Sequence, residues 1–136
     1  MREISLQRVG VSSPWHAVQL STGDYVVSKY ASPGAVRVVG VDGQVVHRYD
    51  QSRYVGPMNH PASLAVTKND DILVADESNK RIVSLDSSLS CAQVLALPVD
   101  SRFQQPFGLC LDETRGRLYI GEGAGGCRVL VFESRE

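Results

Sequence analysis

Asp71-Ile72-Leu73-Val74-Ala75-Asp76-Glu77-Ser78-Asn79-Lys80-Arg81-Ile82-Val83-Ser84-Leu85-Asp86 reads as two short strands around a polar loop. Ile72-Leu73-Val74-Ala75 and Arg81-Ile82-Val83-Ser84-Leu85 are rich in aliphatic and β-branched residues, while Glu77-Ser78-Asn79-Lys80 between them is turn-forming. Working outward, Ala62-Ser63-Leu64-Ala65-Val66 is an earlier strand behind Pro61, joined through the turn Lys68-Asn69-Asp70. Cys91-Ala92-Gln93-Val94-Leu95-Ala96-Leu97 follows as a fourth. No stretch of the chain holds a helical apolar period, and 12 Gly and 6 Pro are spread throughout. Many short antiparallel strands are therefore expected, in an all-β chain.

The same pattern flanks this unit on both sides. Pro14, Pro61 and Pro106 stand 47 and 45 residues apart. Each precedes a short apolar strand: His16-Ala17-Val18-Gln19-Leu20, the strand after Pro61, and Phe107-Gly108-Leu109-Cys110-Leu111. Second strands follow at Tyr25-Val26-Val27-Ser28 and Leu118-Tyr119-Ile120-Gly121. Third strands open on an arginine and an aliphatic, Arg37-Val38, Arg81-Ile82 and Arg128-Val129, and close on Asp42, Asp86 or Glu133. The first unit adds Gln44-Val45-Val46-His47-Arg48-Tyr49 as a fourth. A repeat of about 45 residues with four strands is the pattern of a propeller blade, with an evenly spaced β-sandwich as the competing architecture. The expected division of the single domain 1–136 is a blade over 13–56, a second over 57–101 and a third over 102–136.

The overall balance excludes several classes. Lys plus Arg is 14 and Asp plus Glu is 15, without the basic excess of a dedicated polyanion binder. Hydrophobic residues are 43% and charged ones 21%, which suits a packed core rather than disorder. No apolar run reaches the roughly 18 residues of a membrane span. Met1-Arg2-Glu3-Ile4-Ser5-Leu6 lacks the apolar segment of a secretory signal, so a cytoplasmic setting is expected. Cys91, Cys110 and Cys127 are odd in number and not closely paired, unlike a disulfide framework. Cys110, inside an apolar strand, reads as a core residue.

The middle unit resembles the NHL repeat, in which a strand ending Ala-Asp leads through a short Asn-bearing loop to Arg-Ile and a closing acid. His60-Pro61-Ala62-Ser63-Leu64-Ala65-Val66 is similar to that family's Pro-x-Gly-Leu-Ala-Val opening. The third unit keeps Gln105-Pro106-Phe107-Gly108-Leu109 and Arg128-Val129 but has Gly121-Glu122 in place of Ala-Asp; the first has Ser28-Lys29 there. The resemblance implies a six-bladed β-propeller of the type that ends tripartite-motif (TRIM-NHL) ubiquitin ligases. Such propellers bind proteins or RNA and are not usually enzymes. No RING or B-box cysteine pattern is present in the sequence.

Three blades make half of such a ring, and each outer face would leave apolar surface in water, at about 25 cal/mol per Å². The third unit ends after its third strand. Glu3-Ile4-Ser5-Leu6-Gln7-Arg8-Val9 has strand-like alternation. Residues 1–12 are therefore expected to supply a complementing strand. It either completes the third blade of a second copy, closing a two-fold homodimeric ring, or belongs to the preceding blade of a longer propeller.

Antiparallel connectivity sends the second-to-third loops and the inter-blade loops to one rim, where binding on a rigid scaffold is expected. That rim gathers Trp15, His16, Lys29, Tyr30, Tyr54, His60, Asp76, Asn79, Lys80, Phe103 and Glu122, with Ser32, Met58, Glu77 and Gln104. Its aromatic and methionine content suits a protein interface. Duller roles compete: Trp15 as inter-blade packing, Asp76 as a turn acid, and Arg37, Arg81 and Arg128 as recurrent structural pairs. Acids Asp76, Glu77 and Glu122 on this rim oppose phosphate, so a protein or peptide partner is favoured over RNA. His16 and His60 stand near equivalent places, but the third unit offers Gln105 and Phe107 there, leaving a metal constellation incomplete. The expected function is thus a non-catalytic binding scaffold, with no cofactor, metal or catalytic residue. An RNA-binding domain is the first alternative and a metal-dependent lyase or lactonase-like propeller the second.

Overall fold

The computed structural model describes residues 3, 13–96, 103–123 and 128–133. They form three antiparallel sheets. The first runs β1 (Pro14–Gln19), β2 (Tyr25–Lys29), β3 (Ala35–Val39), β4 (Val45–Arg48) in chain order. The second runs β5 (Pro61–Val66), β6 (Ile72–Asp76), β7 (Arg81–Leu85), β8 (Ala92–Val94), with a 3₁₀ turn Glu77–Asn79 between β6 and β7. The third holds β9 (Pro106–Asp112), β10 (Arg117–Glu122) and β11 (Arg128–Glu133). Each is a simple meander, because every connection is short enough to return the chain alongside itself.

The tight turns repeat one geometry. Leu20 N–H donates to Asp24 O and Gly23 N–H back to Leu20 O; Gly40, Gly43 and Gln44 repeat this, as do Thr67, Asp70 and Asp71. The residue that must turn left-handed is Gly23 (φ 96°), Gly43 (φ 84°) or Asp70 (φ 63°), residue types that tolerate it.

The sheets stack face to face through side chains, as propeller blades do. Val26, Val36 and Val38 of the first sheet bury against Leu64, Ile72, Val74, Val83 and Leu85 of the second. The second sheet's other face, with Ala65, Leu73, Ala75 and Ile82, buries against Leu118 and Ile120 of the third. Covered on both faces, β6 is buried at every position and reads as a continuous apolar run. β1, β5 and β9 lie side by side at the inner edge. Leu64 N–H donates to His16 Nδ1 at 2.8 Å, and Leu109 N–H to Ser63 Oγ at 3.1 Å. His16 and Ser63 both stand two residues after their unit's proline, so this inter-blade bond is part of the repeat.

Several expectations change. The sequence aligned Arg37 with Arg81 and Arg128. In the sheets, Arg81 lies opposite Asp76 and Arg128 opposite Glu122, whereas the matching place opposite Lys29 is held by Ala35. Register is set by pairing across the loop, not by the first arginine of the run. Arg37 instead faces Val27 and Arg48. Cys110 is exposed, not core, because it lies on the third sheet's outer face, which no other described sheet covers. Met58 is buried in the first core rather than displayed on the rim. Apart from Glu3, the complementing strand expected over 1–12 lies outside the described residues, as do Gly125, Gly126 and Cys127.

Candidate functional site

The loop-bearing rim is organised by two equivalent clasps. Asp76 ends β6 opposite Pro61, and Glu122 ends β10 opposite Pro106. Asp76 accepts Arg81 Nε–H at 2.7 Å, Asn79 Nδ2–H at 2.8 Å and Asn59 N–H at 2.7 Å. Glu122 accepts Arg128 Nε–H at 2.6 Å and the N–H groups of Gln104 and Gln105 at 2.6 and 3.1 Å. Each acid therefore binds the arginine of the next strand and the loop that leads into its own blade. Burial alone would raise the Glu122 pKa, but hydrogen bonds from Arg128, Gln104 and Gln105 hold it below its ordinary value. Arg81 also donates to Val55 O, fixing the loop between the first two blades. Asp76 and Glu122, expected at the binding rim, thus face inward as buried structural groups, while Asn79 stays exposed with its amide engaged by Asp76 and Pro57 O. Phe103 also turns inward and packs edge-on against Phe132 at 6.3 Å.

Above the clasps lies an aromatic cluster drawn from all three blades. Trp15 stacks on Tyr30 at 4.9 Å and meets Phe107 edge-on at 5.7 Å. Tyr30 also abuts the His60 ring at 4.7 Å. Trp15 remains 52% exposed, so it both packs and presents surface. Beneath it, the Tyr30 hydroxyl is shared between both carboxylate oxygens of buried Glu77, at 2.7 and 2.8 Å. Gln105 Nε2 donates to the same carboxylate at 3.1 Å. One acid of the second blade therefore ties the first and third. The hydrogen bond to Glu77, then burial and the negative charge, push the Tyr30 phenol up to about 12.

The remaining expected residues divide. Lys29 ends β2 at the place that Asp76 and Glu122 take in the other blades. Lys80 is exposed in a left-handed conformation, φ 55°. Tyr54 is exposed, with the Arg53 guanidinium 5.1 Å above its ring. His16 is engaged between blades, and burial lowers its pKa. His60 Nδ1 lies 2.8 Å from Asn59 Oδ1 and 2.9 Å from Ser78 Oγ. Among the described residues, no three His, Cys, Asp or Glu side chains converge as metal ligands. Phe107 was not singled out for the rim from the sequence. The available signal was its place one residue after Pro106, as Trp15 follows Pro14.

The family model of the NHL repeat matches residues 58–83, the stretch from the loop before β5 into β7. Among solved structures, a protein of unknown function from Bacteroides caccae matches with a TM-score of 0.53 and 13% identity, over 89% of this chain and 46% of that one. At that identity the likeness shows the fold alone, and this chain spans less than half the length of that relative. No curated protein matches.

Proposed function

We propose that this chain is a non-catalytic binding scaffold of NHL propeller type that takes a protein or peptide partner on its loop-bearing rim. The observation that carries the reading is the Trp15–Tyr30–Phe107 cluster, held from below by Glu77 with Trp15 half in solvent. A rigid, exposed aromatic anchor on a buried polar support is what interface centres use. The finer architecture in this reading is a six-bladed ring, closed by a second such half or by the rest of a longer polypeptide. A cytoplasmic setting belongs to the same proposal. Affinity capture comparing the intact chain with Trp15→Ala tests it. The variant should lose its specific interactors, with roughly thirtyfold weaker binding for a central anchor worth about 2 kcal/mol. An unchanged set of interactors means the partner lies elsewhere.

A second reading, RNA binding, gains support from the clasps. Asp76 and Glu122 are buried and paired with arginines, so they no longer oppose phosphate, while Lys29, Lys80 and the open face of Trp15 remain on the rim. Tight, salt-sensitive retention of mixed single-stranded RNA on filters at low salt would move this reading ahead.

A further inference from the structure

We propose that the Trp15–Tyr30–Phe107 cluster recognises a single arginine side chain of its protein or peptide partner, an inference that rests on the rim reading above and names its chemistry.

Glu77 is an acid without a counter-charge. Three carboxylates of the rim are buried, those of Asp76, Glu77 and Glu122. Arg81 neutralises Asp76 at 2.7 Å and Arg128 neutralises Glu122 at 2.6 Å. The Glu77 carboxylate meets only neutral donors among the described residues, the Tyr30 hydroxyl and the Gln105 amide. None of the ion pairs there involves it, so the rim lysines Lys29 and Lys80 do not neutralise it. An unpaired buried charge is costly, and such charges gather where a ligand completes them. Gln105 adds to the imbalance. Its Nε2 is committed to Glu77, and its buried Oε1 has no partner among the described residues. The cluster thus sets three acceptor oxygens against two donor groups. A guanidinium, with five N–H donors and no acceptor, is complementary to it.

The aromatic rings supply the seat. Tyr30 stacks on Trp15 with the two planes 28° apart, and Phe107 stands at 85° to the indole. Trp15 is half in solvent, so its face away from Tyr30 is open. Indole is the best of the aromatic faces for a cation, and a flat guanidinium stacks on it where an ammonium offers only a point charge. Tyr30 shares its proton with a carboxylate, which polarises the ring beneath the indole in the direction that favours a cation. The negative charge of Glu77 acts through this partly dry stack, where it is screened less than in water. Exposed Lys80, and Lys29 beside Tyr30, repel a run of basic residues, so the seat suits one cation in an otherwise neutral segment. The same unpaired acid opposes phosphate.

Trp15 is the chain's single tryptophan, so its fluorescence reports this site directly. The full chain is titrated with a capped Gly-Gly-Arg-Gly-Gly peptide and with the same peptide carrying citrulline, which keeps the shape of arginine and removes its charge. The arginine peptide should shift Trp15 emission saturably and bind about tenfold more tightly than the citrulline peptide, the scale of a partly desolvated cation on an aromatic face. Glu77→Gln, with folding checked by thermal melting, should abolish that preference and leave the citrulline peptide's binding unchanged. Equal binding of the two peptides to wild type, or no saturable response to either, overturns recognition of arginine here whether or not the variant folds. A preference that persists in folded Glu77→Gln overturns the assignment to this acid. In each case the rim reading stands or falls separately, on the Trp15→Ala capture.

Discussion

His16 carries a bond that only one of its protonation states can make. Its Nδ1 accepts Leu64 N–H, and an imidazolium has no lone pair for that role. Burial holds its pKa below 6.5 in the folded protein, so the unfolded chain takes up the proton first. The stability from this site is complete above pH 6.5 and drains as pH falls through the lowered folded value. His16→Ser copies Ser63, which makes the same bond in the next blade. Urea melts at about pH 7.5 and about pH 5 should show wild type losing up to about 1 kcal/mol relative to His16→Ser, a typical hydrogen-bond increment. Equal losses would remove His16 from the acid response. At this scale the sequence showed which residues share the rim but not which way they turn. Asp76 reads as a turn acid from its place after a strand, and Asn59 N–H bears that out, but Glu122 looks like a binding acid until its backbone donors Gln104 and Gln105 are seen. Backbone donors leave no mark in a list of residue types.

The junction between β2–β3 and β5 depends on close approach. A Cβ at Gly34 would collide with the Pro61 ring, and Gly34 N–H donates to Met58 O. Gly34→Ala should cost about 1–3 kcal/mol in thermal or urea melts, the scale of overpacking. Pro61→Ala in the same chain should return part of that loss, because the collision is with the pyrrolidine carbons. An additive double mutant would place the strain elsewhere. Strands were the most legible feature of the chain. Alternating or continuous apolar runs bounded by Gly, Pro, Asn and Asp place all eleven, since a blade covered on both faces leaves little for tertiary context to override. Arg37 shows the limit: the loop from Tyr30 to Gly34 moves the clasp register, and Ala35 rather than the first arginine lies opposite Lys29.

Across the whole molecule, coverage is unequal. The second sheet has a neighbour on each face, and Ile72, Val74, Ala75, Ile82 and Val83 are fully enclosed. Amide exchange should therefore be slowest in β6 and β7 and at least tenfold faster in β11, where Val129 and Val131 face solvent. Uniform exchange across the sheets would mean that the blades open only together. The periodic sequence disclosed units and their order because each strand satisfies a local pattern. It did not disclose that the outer faces differ in coverage, with Val27 and Val39 of the first sheet buried and Val129 and Val131 of the third exposed.

Within the described residues, no strand of one sheet pairs with a strand of another, and the sheets meet through side chains and single bonds such as Ser63 Oγ to Leu109 N–H. Duplicating or deleting a segment of one repeat length therefore severs no ladder in the modules that remain. Unequal recombination in a gene of this kind can change the number of repeats while every remaining sheet keeps its ladder, which makes length an easily varied property of the architecture.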